Sequence, residues 1–233
     1  MNNATLQLKI KQRLNKLASN DYDNIECWQI VEAFNKAQLE WVRRQLHASN
    51  IFKEGDEQSK RRIDDLQILM QQTNLNVQDR VLFYESSELP SDYLEYKRVA
   101  TLAKDECCPP RGMTVYLAEE ANVDQLLRDV NKKPSWEWGE MFATLIGNRV
   151  RLYTNDEFDL VRPSLYYYRK PINIQIAGCK DPYTQALSAA DVECEFKDDI
   201  VELLIDETVS ILAGDIESII QYQRGSQSAE KNN

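Results

Sequence analysis

Apolar residues recur at helical spacing at both ends of this chain and alternate with polar ones in the middle, a change of period that limits the folds open to it. Near the start, Leu6, Ile10, Leu14 and Leu17 repeat every three or four residues and predict a first helix over about Thr5 to Leu17. Asp23 and Glu26 then form a capping-box pattern for a second helix, from about Asn24 to Leu46, whose inward face is Trp28, Val31, Phe34, Gln38, Trp41 and Val42. A third helix is expected from about Glu57 to Gln72, with Ile63, Leu66, Leu69 and Met70 inward. At the far end, Ile200, Leu204, Thr208, Ile211, Leu212 and Ile219 mark a long closing helix from Asp198 or Asp199 to about Tyr222.

Between these blocks the period is two. A strand is expected over Val77 to Phe83, ended by Leu89-Pro90-Ser91-Asp92, after which Asp92 to Tyr96 reads as one or two helical turns. Cys107-Cys108-Pro109-Pro110-Arg111-Gly112 is read as a loop, because proline cannot donate to a ladder. Further strands follow at Met113 to Leu117 and Ser164 to Tyr168, and a short helix starts at the capping pattern Asn122-x-x-Gln125. Met141 to Leu145 and Val150 to Tyr153, joined through Gly147-Asn148, read as a hairpin. Asp181 to about Glu195 is expected to be irregular.

The expected fold class is therefore α+β: an antiparallel helical bundle of the N-terminal helices plus the long C-terminal helix (1–75 and 196–223), a β-rich insertion with short helices (76–195), and a flexible tail (224–233).

Composition narrows the chemistry. A chain of 233 residues with 42% hydrophobic side chains can bury a sizeable core. No apolar run approaches the roughly 20 residues of a membrane span, and Met1 to Thr5 lacks a signal pattern, so a protein made in the cytoplasm and without a membrane partner is expected. The net charge of -10 disfavours a nucleic-acid grip, which needs Lys and Arg at phosphates. An ordinary solvated surface is the commoner reason for such a charge, which is also compatible with a wall past which DNA slides.

Five cysteines, Cys27, Cys107, Cys108, Cys179 and Cys194, are an odd number at irregular spacing and read as reduced thiols; a metal on Cys107-Cys108 is disfavoured by the single histidine. Seven scattered glycines form no phosphate-cradling loop. His47 falls at the end of the second helix, where it suits the helix C-terminus better than a catalytic relay. Asp64-Asp65, Glu119-Glu120 and Asp198-Asp199 are neighbours that point apart, and Asp198-Asp199 suits the positive end of the closing helix. No catalytic residue, cofactor or metal ligand is assigned. Trp136 and Trp138 are either buried loop anchors or partner contacts, and Arg43-Arg44 is either a solvated face or meets an acidic neighbour.

Four segments in fixed order carry a resemblance. They are Trp28 with Asn35, Ala37 and Gln38; Leu89, Pro90, Asp92 and Tyr93; Leu165, Tyr167 and Pro171; and the closing helix. Together they cover about residues 24 to 220, and the chain resembles the head-to-tail adaptors of short-tailed phages, the tail tubular protein A group, with the crAss-like phage ring proteins its nearest members. The resemblance implies a non-enzymatic virion protein of the head-tail junction. It also implies a homo-oligomeric, dodecameric ring that binds the portal protein and further tail or ring proteins, with the genome passing through. Tyr222, Gln223 and Arg224 are then the candidate portal contact. Trp136, Trp138, Arg43 and Arg44 are the candidate ring or tail contact. A non-viral intracellular interaction or regulatory module remains the alternative, and a small hydrolase with an acidic site the third class.

Overall fold

The computed structural model describes residues 1–15, 25–47, 63–105, 108–181 and 183–215. The chain divides into two compact units: Met1–Ile68 with Pro171–Asn233, and Leu69–Lys170.

The helical unit contains α1 (Asn3–Asn15), α2 (Cys27–His47) and the closing helix, here α4 (Asp198–Asp215). Leu6, Ile10 and Leu14 on α1, and Ile30, Phe34 and Ala37 on α2, are all fully buried, as their i, i+4 and i, i+3 spacing requires. Both helices pack against α4, which is apolar on more than one face: Ile200, Val201, Leu204, Ile205 and Leu212 are all buried. Around that core run ion pairs from Lys9 and Arg13 to Glu202, from Arg13 to Asp206 and from Arg44 to Glu207. Among the described residues, the segment between Pro171 and α4 shows no strand, and isolated bridges join Gln175 with Val192 and Lys180 with Leu187.

The sheet unit holds β1 (Met70–Asn74), β2 (Val77–Asp79), β3 (Phe83–Ser86), β4 (Tyr93–Asp105), β5 (Cys108–Leu117), α3 (Val123–Arg128), β6 (Glu140–Ile146), β7 (Arg149–Tyr153) and β8 (Asp159–Arg169). The strand order is β1-β8-β4-β5-β6-β7-β3-β2. The two edge strands are thus neighbours in sequence, with only Leu75-Asn76 between them. Leu75 N–H reaches Pro163 O in β8, while Asn76 O accepts from Ser87 N–H beyond β3. One chain segment therefore serves both edges, and the sheet curls into a half-barrel. Inside it are Val99, Met113, Met141, Val150, Leu152, Leu165 and Tyr167. Outside, α3 covers Phe142 and Tyr153 with Val123.

This architecture corrects the α+β expectation of a helical bundle with a β-rich insertion: the fold is mixed α/β and dominated by the eight-stranded sheet. Each local departure has a physical cause. The third predicted helix is helical at 63–66, takes a 3-10 turn at Gln67–Leu69, and becomes β1 at Met70. There, pairing of Met70 with Tyr168 and of Gln72 with Tyr166 outweighs local periodicity, and Ile63, expected inward, is exposed.

The helical turns expected at 92–96 are the start of β4. Its register against β8 shifts at Tyr93/Glu95 and again at Tyr96/Arg98, and such bulges erase the two-residue period. The Cys108 to Gly112 loop is strand β5, because Ala103 pairs with Arg111 and Asp105 with Cys108. Pro109 and Pro110 therefore lie together opposite Lys104, in a bulge where no ladder donor is required. Cys107 lies outside the described residues. The β6–β7 hairpin does form, with Gly147 and Asn148 at φ 54° and 60°, the two positive values of a type I′ turn.

The thiol expectation is also corrected. Cys27 and Cys179 are joined by a disulfide across 152 residues of sequence, with Cα atoms 5.8 Å apart, while Cys108 and Cys194 remain thiols. Sequence spacing gave no sign of this pair because the α2 start and the irregular return segment meet only in three dimensions.

Candidate interaction surfaces

Residues of the four ordered segments bond to one another or to the chain beside them. On α2, Asn35 and Gln38 lie nearly one turn apart on the side facing the return segment. Asn35 Oδ1 accepts the Ile174 N–H at 2.8 Å and the Gln38 amide at 3.0 Å. Gln38, fully buried, accepts in turn from the Cys194 thiol at 3.4 Å. Burial pushes that thiol up to about 11, so it stays a neutral donor at ordinary pH.

In the sheet unit, the turn before β4 is held by Tyr93 N–H donating to Pro90 O. Asp92 takes the Tyr167 hydroxyl at 3.0 Å through its carboxylate and the Lys170 N–H at 2.7 Å through its carbonyl. The Tyr93 ring lies 5.7 Å from that of Tyr167, and Leu89 and Leu165 join the same core. Burial, then the Asp92 hydrogen bond, raises the Tyr167 hydroxyl above its usual range.

The sequence-based interface candidates separate. Trp136 is half-buried, packed 6.2 Å from the Phe158 ring, with the Arg111 guanidinium 5.5 Å above it and donating to its carbonyl. It is an anchor of the turn. Gly139, at φ 69°, closes that turn, where a Cβ would come within 2.5 Å of Arg111. Trp138, two residues on, is 66% exposed. Arg44 is engaged by Glu207 of its own chain, whereas Arg43 is exposed. Tyr222, Gln223 and Arg224 lie outside the described residues, as does the side chain of His47, the last residue of α2.

A feature that sequence reasoning missed is on the outer face of β2, β3 and β7. Gln78 pairs with Glu85 and Glu85 with Arg151, so all three project to one side. Arg151 donates to Glu85 at 3.2 Å and Glu120 at 3.3 Å, and lies 5.0 Å over the Phe83 ring. Arg149 reaches Glu85 at 3.6 Å and Arg80 does so at 3.7 Å. Three guanidiniums thus converge on one carboxylate that is only 15% exposed. The available signal was Arg149-x-Arg151 within a strand, since alternate residues share a face.

An open cleft of about 450 Å³ lies in the helical unit, between Trp28, Val31 and Asn35 of α2 and the return segment at Ile176, Cys179 and Leu187. Among the described residues, no group of three or more His, Cys, Asp or Glu side chains is placed to hold a metal ion, and no helix is long and apolar enough to cross a membrane. No protein-family model matches the chain, and no curated protein matches it either.

Proposed function

We propose that this chain is a structural subunit of a phage head-tail junction, one copy of a ring that joins the portal to the tail and through which the genome passes. The observation that carries this is the bonding of the recurrent residues. Asn35 and Gln38 tie α2 to the return segment, while Asp92 and Tyr93 hold Tyr167 at the end of β8. These residues fix backbone positions, which is the use an assembly protein has for them. The proposal does not draw on fold class, since the sheet-dominated fold differs from the helical bundle expected from the sequence.

In such a ring each subunit presents one surface to the next copy and a different surface to the previous one, so the contact is heterologous and closes by rotation. Many modest contacts then act together to hold the ring on the portal. Trp138, an exposed aromatic of the sheet unit, is suited to a neighbour in the ring or tail. The segment Tyr222 to Arg224 is the candidate for the portal. The acidic balance of the chain keeps passing DNA from adhering.

The test is location and mass. Particles of the phage encoding this chain should contain it at the portal vertex in low-resolution images, and the purified chain mixed with portal protein should sediment as a large symmetric complex. Absence from particles, together with a persistent monomer beside portal, would overturn the proposal.

A further inference from the structure

We infer that the arginine cluster on the outer face of β2, β3 and β7 is a docking surface for the acidic segment Asp191–Asp199 of a second copy of this chain. The inference deepens the ring-subunit proposal by naming the surfaces through which one copy would meet the next.

The cluster is under-neutralised. Arg80, Arg149 and Arg151 share Glu85, and Glu120 meets only Arg151. Asp79 pairs in register with Tyr84 and so projects to the opposite face, where it accepts the Val81 N–H. Three guanidiniums therefore share the carboxylates of Glu85 and Glu120. Arg80 and Arg149 are 52% and 43% exposed, leaving donors turned to solvent. Exposed apolar side chains flank them: Ile146 pairs across the hairpin with Arg149, and Val81 and Leu82 follow Arg80. Arginine beside exposed aliphatic groups is the composition of an interface.

The complementary surface is on the same chain. Of its 28 Lys and Arg and 38 Asp and Glu, the sheet unit holds 13 and 16 and the helical unit 15 and 22, so the acid excess is concentrated in the helical unit. Its densest stretch is Asp191–Asp199, with Asp191, Glu193, Glu195, Asp198 and Asp199 in nine residues. The one cation there, Lys197, is already held by Asp64 with Asp65 3.5 Å away. The α-ammonium of Met1 sits on Asp198, and Asp191 is tied to Asn3 and the Ala177 N–H. Glu193 and Asp199 are exposed beyond these bonds. A basic face on one unit and an acidic segment on the other make a contact between unlike surfaces, the kind that propagates from copy to copy.

The test is sedimentation velocity of the full chain over a concentration range up to about 1 mM, at low salt and at about 0.5 M salt, where screening shortens the reach of charges to a few ångströms. Wild type should self-associate at low salt and dissociate at high salt. Arg80→Glu with Arg149→Glu should weaken association by about tenfold or more, and so should Glu193→Lys with Asp199→Lys. A chain carrying all four reversals should recover most of it, because the opposed charges are restored. Arg80→Gln with Arg149→Gln, and near-ultraviolet circular dichroism of every variant, separate lost contact from lost fold.

A wild type monomeric at all salts, association indifferent to the single-sided reversals, or no recovery in the fourfold variant would each overturn the inference. So would salt-sensitive binding of a short DNA duplex to a monomer, lost in Arg80→Glu with Arg149→Glu. A chain that self-associates as described but is absent from particles would leave the contact standing and remove the head-tail proposal instead.

Discussion

The two units of this protein solve the same problem with different materials. In the helical unit, α1, α2, α4 and an irregular return segment are tied by ion pairs, side-chain hydrogen bonds and one disulfide. In the sheet unit, a curled sheet encloses apolar side chains, and polar ties such as Arg151 with Glu85 and Tyr167 with Asp92 join adjacent strands or their ends. The difference teaches where each unit is vulnerable: the first depends on a handful of long-range ties, the second on the volume it encloses.

The largest effects should fall on those two dependences. Leu165→Ala in the half-barrel removes a fully buried side chain and should cost about 3 to 5 kcal/mol, read by chemical denaturation with a probe in the sheet unit. Replacing Cys27 and Cys179 by serine should cost the helical unit about 4 kcal/mol and leave the sheet unit's own transition in place. The magnitude follows from loop closure: with Met70 paired to Tyr168 the folded sheet unit brings its ends together, so the disulfide closes an effective loop of about 50 residues. Equal losses in both units for either variant would break the comparison.

A smaller effect is expected at Arg44. Glu207 is 11% exposed and burial raises its carboxyl, with Arg44 opposing the rise. Arg44→Ala leaves that carboxylate without its cation and should cost about 2 kcal/mol, less than a fully buried pair because Arg44 is itself 35% exposed. Arg44→Met with Glu207→Leu should restore most of the loss, measured as the shift in thermal midpoint.

The smallest effects are in pH dependence, and the two units should differ in direction. Burial pushes Tyr84 and Tyr93 of the sheet unit up to about 12, the Asp159 hydrogen bond adding to the shift of Tyr84. A raised folded pKa means stability that is complete below the unfolded value near 10 and is lost as pH climbs from there towards 12. In the helical unit, burial raises Glu202 but Lys9 and Arg13 bring it below its usual range, and the Met1 ammonium lowers Asp198. A depressed folded pKa gives stability present above the unfolded value near 4 and lost as pH falls through the folded one. Glu207, raised, works against that loss. Unfolding monitored unit by unit should show the sheet weakening at alkaline pH and the helices at acid pH; a sheet unit that weakens first in acid would contradict the assignment.

The parts of the fold that were legible in the sequence are those decided by neighbours in the chain. The α1 repeat of Leu6, Ile10 and Leu14, the Phe34 and Trp41 face of α2, the start of α4 at Asp198 and the hairpin at Gly147-Asn148 all follow from spacing or backbone preference within a few residues. At the candidate surfaces, anchoring was the first reading for both Trp136 and Trp138 and partner contact the second, and only the position of Phe158 and Arg111 separated them. The arginine cluster was missed because Arg80, Glu85 and Arg149 converge through strand pairing, which adds no local pattern to any of the three.

By itself, then, the amino-acid sequence determined where helices could form at the two ends, which faces they would bury, and that two-residue alternation would govern the middle. Tertiary structure decided the rest: that Met70 to Asn74 is a strand, that two prolines could sit in a ladder bulge, that Cys27 would meet Cys179, and that eight strands would outweigh the helices. The physical reason is range. Periodicity and capping are settled over a few residues, whereas the pairing of β1 with β8 and the disulfide compare partners far apart in sequence, up to 152 residues, whose energies exceed local preference only once the chain has brought them together.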